Sequence, residues 1–324
     1  MPENEQAIHG ALCRWIAPAL RQYAASGKLL LGDYASAQSL IEPLVQPPVT
    51  SSGQYSGHRL YRAGLKTLIL ASSGDHRGAE ELLDWVRGFP LPAGWETTWP
   101  GVPAAVAASY IAIADGDPDQ ARAQLALTEP YELLVDLWPL ILDQRARLSL
   151  YFEPSSGLHE FLDALRARQS IAPTSRYWQL HLHVRAVGFA VDAGSLPIAA
   201  HHLQRCRGLD YPGRPGLSVE RAEALYLLGV GRVEQARALV QTCLLREDVT
   251  AREKFTLRYL LAISEHRLGR TEHARSELHA ALRLGDDVSL AHFHSAATLA
   301  EMLTAYAPDR EDLLAEVRQR LRMD

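Results

Sequence analysis

Histidine is the residue type most able to do chemistry in this chain, with 13 in 324 residues. Their spacing argues against a metal site. His181 and His183, like His292 and His294, are two apart, which on a helix points them about 200° apart. His201 and His202 are adjacent and also diverge, and His266 and His273 flank a turn with no third ligand close in sequence. All are read as solvated or half-buried helix residues. The three cysteines, Cys13, Cys206 and Cys243, are an odd, sparse set that supports neither a zinc site nor a disulfide framework. Each is expected to pack as a small hydrophobe. Nucleophile and phosphate motifs fare no better. There is no Gly-x-Ser-x-Gly elbow, and Ser51-Ser52-Gly53 has no strand before it. The stretch Gly57…Gly64-Leu65-Lys66-Thr67 has the wrong spacing for a phosphate-binding loop and lies in a helical run, where the backbone cannot wrap an anion. Aspartates and glutamates are expected at helix caps and on exposed faces. No catalytic, cofactor-binding or metal-ligating residue is assigned.

Two groups of residues suit binding instead. Of 33 basic residues only Lys28, Lys66 and Lys254 are lysine, so 33 − 3 leaves 30 arginines. Arg59, Arg62, Arg145, Arg176, Arg185, Arg221, Arg252 and Arg258 fall on helical stretches where a shared groove would hold an acidic peptide or an anionic small effector. The segment FPLPAGWETTWPG (89–101) brings Phe89, Trp95 and Trp99 together with three prolines. That is a stiff aromatic lip, suited either to packing over helix ends or to contacting a partner. A net charge of −5 and a pI near 6.2 argue against a broad nucleic-acid-binding surface, so no direct nucleic-acid contact is expected.

These side chains must be positioned by helices, and the helices repeat. Six segments share one pattern: Gly, Ala five residues later, an aliphatic residue four beyond. They are Gly32–Ala37–Ile41, Gly74–Ala79–Leu83, Gly116–Ala121–Leu125, Gly194–Ala199–Leu203, Gly231–Ala236–Val240 and Gly269–Ala274–Leu278. The glycines are 42, 42, 78, 37 and 38 apart, a period near 40 with one degenerate copy. Seven residues before each stands a small or β-branched residue: Ala25, Thr67, Ser109, Val187, Ala224, Ala262. The physics is a tight turn between two helices. Glycine ends the first helix in a left-handed conformation, and Asp33, Asp75, Asp117 or Ser195 caps the second. Pro118 and Pro197 fit its first turn. The alanine lets the two helices approach, and the aliphatic residue on the same face fills the space between them. Such αα-hairpins bury their apolar faces only by stacking.

In the degenerate unit, about 131–170, FEPSSG (152–157) is expected to be the turn, with Phe161 at the alanine position and Leu165 at the aliphatic one. The last unit, about 286–324, has lost the consensus as a capping unit does, but keeps a break at Pro308-Asp309. No stretch alternates as a strand would. The expectation is a single all-α domain over 1–324, a right-handed solenoid of about eight helix pairs.

The Gly-Asp-x-x-x-Ala turn with a small residue seven before it resembles the tetratricopeptide repeat (TPR). The spacing near 40 and segments such as GRVEQARALVQTCLL (231–245) are similar to the TPR region of MalT-type LuxR-family transcription regulators. The resemblance implies a bacterial sensor and interaction region that binds a protein, peptide or small-molecule effector on the concave face lined by each hairpin's first helix. A stand-alone TPR adaptor is the alternative, and an α/α-toroid-like enzyme a minor one. Neither the ATPase loop nor the helix-turn-helix of such a regulator is found in the sequence. The polar N-terminus is unlike a signal peptide, and no apolar run approaches the roughly 20 residues of a spanning helix, so a cytoplasmic protein off the membrane is expected. The sequence leaves the oligomeric state open.

Overall fold

The computed structural model describes residues 2–45, 57–88, 98–115, 117–131, 136–152, 154–171, 175–212, 217–247, 249, 251–284 and 296–315. Of these, only the backbone is described at 2–15, 114, 150–152, 154–156, 169–171, 251–252 and 296–297. The described residues contain helices and turns and no strand. Among the described residues the helices follow two by two along the chain: α1 (Pro2–Leu30) and α2 (Tyr34–Ile41), α3 (Gly57–Ser73) and α4 (His76–Arg87), and α5 (Val102–Ala114) and α6 (Pro118–Ala126). Then come α7 (Trp138–Phe152) with α8 (Pro154–Ile171), α9 (Arg176–Asp192) with α10 (Leu196–Leu209), α11 (Ser218–Gly229) with α12 (Val233–Leu244), and α13 (Ala251–Arg267) with α14 (Thr271–Leu282). After α15 (Ala296–Tyr306) and a break at 307–310, residues 311–315 are again helical. The chain divides into two compact units, Met1–Ile111 with Ala123–Trp138, and Ala112–Arg122 with Pro139–Asp324. No helix among the described residues is long and apolar enough to cross a membrane.

The turn chemistry is the one the spacing anticipates. Gly32, Gly74, Gly194, Gly231 and Gly269 all have φ between 68° and 94°, and no other described residue has positive φ. Gly116 lies outside the described residues. The residue after each glycine returns its N–H to the carbonyl five back: Asp33 to Lys28, Asp75 to Leu70, Asp117 to Ala112, Ser195 to Ala190, Arg232 to Leu227 and Arg270 to Glu265, all at 2.7–3.0 Å. This closes the first helix and satisfies carbonyls that would otherwise be orphaned. Asp33, Asp75 and Asp117 then accept from the backbone N–H groups of Ser36, Gly78 and Gln120. Ser195 makes no side-chain cap, so that turn rests on its glycine and on Pro197 in the first turn.

Burial follows the repeat position by position. Ala37, Ala79, Ala121, Ala199, Ala236 and Ala274 are fully buried, as are the six small residues that precede the glycines by seven. Ile41, Leu83, Leu125, Leu203, Val240 and Leu278 are buried beside them, with Cys206 and Cys243 packed one turn on. Within the second unit α9, α11 and α13 each pack on the first helix of the preceding or following hairpin as well as on their own partner. Their interior side chains include Trp178 and Phe189 on α9 and Leu257 and Leu260 on α13, all buried.

One turn differs from expectation. The α7–α8 junction falls within FEPSSG as expected, but α8 already begins at Pro154, so Gly157 is inside a helix and not at the turn. A Cβ on Gly157 would stand 2.8 Å from Ser149 Cβ, so its glycine serves the close approach of α7 and α8. Phe161 and Leu165 nevertheless occupy the expected buried positions, and the Phe161 ring meets Phe189 edge-on at 5.3 Å. Gly64 has a similar reason: its Cβ would meet the backbone nitrogen of Ala104 at 2.8 Å. The glycine that gave 57–67 a faint likeness to a phosphate loop is a packing residue inside α3.

Candidate functional site

In the second unit, polar side chains from two successive first helices, α7 and α9, come together. Asp143 on α7 and His181 on α9 are 38 residues apart, as are Arg147 and Arg185. The same interval maps Phe161 onto Ala199, so the two pairs hold equivalent repeat positions and stacking brings them side by side. Asp143 has no exposed surface. Arg185 Nε lies 2.8 Å from its Oδ1, Arg147 Nε 3.3 Å from its Oδ2, and His181 Nε2 4.0 Å from Oδ1. Gln144, also fully buried, donates from Nε2 to Asp143 Oδ2 at 3.3 Å. Its Oε1 has no partner among the described residues, and neither does Nε1 of the buried Trp178. Arg221 on α11 adds a third guanidinium field.

Electrostatics sets the character of the cluster. Burial holds His181 down at about 3, and Arg185, Arg147 and Arg221 push the same way against the single opposing charge of Asp143. The imidazole is therefore neutral near pH 7. Its ring is held by Trp178 edge-on at 4.6 Å and by Tyr177 stacked at 6.1 Å. What remains is one carboxylate between two guanidiniums, with a third acting on His181, and two buried polar atoms, Gln144 Oε1 and Trp178 Nε1, without a partner among the described residues. Guanidinium forks of this kind recognise carboxylate and phosphate groups.

The other candidate arginines are placed differently. Arg176 donates to the carbonyls of Leu209 and Asp210 at the end of α10, its guanidinium 5.3 Å from the Tyr211 ring centre. Arg258 pairs with Glu277 at 2.7 Å, within its own hairpin. Arg145 is half-buried on α7, and the Arg252 side chain lies outside the described residues. In the first unit Arg59 is exposed at the start of α3. Arg62 donates to Gln22 Oε1 at 3.0 Å, with burial and the neighbouring Arg59 both working against its charge. Of the aromatic lip, Phe89 and Trp95 lie outside the described residues. Trp99 is 45% exposed and meets the Tyr61 ring at 5.3 Å. Burial pushes the Tyr61 phenol above its usual range, although a hydrogen bond with Ser26 opposes this.

Several features escape a reading by spacing alone. Asp143 and Glu265 are carboxylates in the interior, not on exposed faces. Glu265 is held by Arg237 at 2.6 Å and Arg270 at 3.5 Å. The histidines are not all solvated: His183 on α9 and His202 on α10 are buried, with Nδ1 atoms 2.8 Å apart. Spacing along the chain sets His183 beside His181 and His202 beside His201, but the contact pairs His183 with His202 because it crosses the hairpin. Among the described residues no group of three or more His, Cys, Asp or Glu side chains is placed to hold a metal.

Comparison with known families adds one finding. The tetratricopeptide repeat model matches residues 256–280, which run from α13 through the Gly269 turn into α14. No curated protein matches the chain. Repeats of that type are protein-binding modules. With the same left-handed glycine turn recurring five times among the described residues, the chain is a TPR-like helical repeat protein.

Proposed function

We propose that this chain is a binding module whose ligand-contacting face is formed by α7, α9 and α11, and that its ligand carries a carboxylate or phosphate. The observation that carries this reading is the meeting of Arg147 and Arg185 at one buried Asp143, with Arg221 near enough to act on the neighbouring His181, and with Gln144 Oε1 and Trp178 Nε1 buried and unpartnered among the described residues. We further propose that the module is the sensor and interaction region of a MalT-like LuxR-family regulator in the bacterial cytoplasm. The in-phase turn and the period near 40 support that reading. The alternative is an adaptor that assembles other proteins, favoured by the exposed Trp99 beside Tyr61.

A thermal-shift screen against anionic metabolites and short acidic peptides tests the binding reading. A ligand that binds only the folded chain raises Tm with its concentration. The expected hit loses most of its shift in Arg185→Ala and Arg221→Ala. A hit that both variants retain in full, or no hit from either class, removes the site from consideration. The regulator reading is tested separately in the natural reading frame, which is expected to join this region to an ATPase phosphate loop and a helix-turn-helix.

A further inference from the structure

α1 leaves uncovered a face that is buried in other units. Twelve, eight and five residues before the turn glycine, α9 places Leu182, Ala186 and Phe189, and α13 places Leu257, Leu261 and Ser264, all buried. α3 shows what this face meets. Its equivalents Arg62 and Lys66 both reach back to the preceding hairpin, Arg62 to Gln22 and Lys66 to Glu42 at 2.9 Å. In α1 the same positions are Leu20, Ala24 and Gly27. Leu20 is 62% exposed, and its neighbours Ile16, Tyr23 and Leu31 are 48%, 70% and 44% exposed. A Cβ on Gly27 would meet nothing within 4 Å. These are four of the seven large hydrophobic side chains exposed among the described residues, three on α1 and Leu31 just past its end. Such a concentration marks an interaction surface.

We propose that this face pairs with α1 of a second copy of the chain, the two helices running antiparallel. The face wants a helix, because helices cover its equivalents elsewhere in the repeat. Charge selects which helix. Between Ile16 and Leu31 the only charged residues are Arg21 and Lys28. Arg21 is exposed, and the Lys28 ammonium, although 2.8 Å from Asp33, is 42% exposed with further donors available. A partner helix with apolar residues and an acidic end fits, and the first half of α1 has that sequence: Glu3 and Glu5 at its start, then Ile8, Leu12 and Ile16 at four-residue intervals, with Arg14 its one basic residue and close to the middle of the helix. Antiparallel pairing about the middle of this 29-residue helix sets the acidic half of each copy against the basic half of the other, twice by symmetry. Parallel pairing would set like charges together. α2 has only 8 residues, so most of the length of α1, about 43 Å at 1.5 Å per residue, extends past its own hairpin partner.

Sedimentation of the full chain over a concentration series is the test. The wild type is expected to be a dimer whose Tm rises with protein concentration, and Leu20→Glu a folded monomer of the same helical content whose Tm does not depend on concentration. Glu3→Lys/Glu5→Lys and Arg21→Glu are each expected to weaken the dimer, and an equimolar mixture of the two to restore it as a heterodimer. A wild type that stays monomeric, a dimer indifferent to Leu20→Glu, or charge variants that the mixture does not rescue would overturn the proposal.

Discussion

At the scale of single residues, Asp143 and the His183–His202 pair show how burial turns ordinary side chains into sensitive ones. Asp143 is the carboxylate that Arg147 and Arg185 share. Removing one member of a buried charge cluster strands the others, a loss of about 3–5 kcal/mol in comparable sites. Asp143→Ala is therefore expected to lower the denaturation midpoint by several times more than Asp163→Ala, whose exposed pair with Arg166 contributes about 0.2–1 kcal/mol. Equal effects would mean that the guanidiniums are held without Asp143. The histidine pair gives a pH signature. Burial, with His201 and Arg205 nearby on the cationic side, depresses both rings to about 4 from an ordinary 6.5. Between those values the unfolded chain binds more protons than the folded one, so stability falls as pH drops from about 6.5 towards 4. His181, held at about 3, adds to the same trend. Melting curves across that window should slope less for His183→Leu/His202→Leu than for the wild type. An unchanged slope would show that the rings do not titrate against folding.

At the scale of the hairpin, the fold rests on a turn that tolerates only certain chemistry. Gly269 has φ of 72° and no atom within 4 Å of a built Cβ, so Gly269→Ala costs backbone strain alone, about 1–2 kcal/mol. Gly208, inside α10 with equally open space and ordinary φ, should respond with the opposite sign. Gly208→Ala is expected to stabilise by about 0.5–1 kcal/mol, because alanine loses less conformational freedom in a helix. Caps divide in the same way. Asp75→Ala removes a hydrogen bond to Gly78 N–H and should cost about 1 kcal/mol, whereas Ser195→Ala removes none. Chemical denaturation of the four variants measures all of these, and a common sign for the two glycine substitutions would refute the turn argument. This is the scale at which the sequence was most legible. A hairpin turn is a contact between residues five apart, and its glycine, cap and alanine stand in fixed order. In FEPSSG the helix junction falls inside the expected segment, between Phe152 and Pro154, but its glycine is not the turn residue: Gly157 serves close packing instead.

At the scale of the whole molecule, the repeat period supports reading the 324 residues as a single array of hairpins, a proposal that unfolding can check. In a linear array each unit is stabilised mainly by its neighbours. If the array is cooperative, Gly74→Ala near one end and Gly269→Ala near the other displace the same single transition. Two transitions, each answering to one variant, would mean that Met1–Ile111 with Ala123–Trp138 unfolds apart from the remainder.

The hairpins, their turns and their buried alanines were determined by sequence alone, because helix periodicity and turn stereochemistry are local and repeat six times. Tertiary structure decided which side chains meet. Arg185 reaches Asp143 across 42 residues and His183 reaches His202 across 19, distances at which spacing carries no information about direction. The 38-residue interval shared by Asp143/His181 and Arg147/Arg185 was the one available signal, and reading it required knowing that Phe161 stands in for alanine. Arginine is the clearest case. Arg176 caps helix α10, Arg258 pairs within a hairpin and Arg185 joins the buried cluster, although all three looked alike as basic residues on first helices. A side chain's charge is written in the sequence, but the field it sits in is made by the neighbours that stacking supplies.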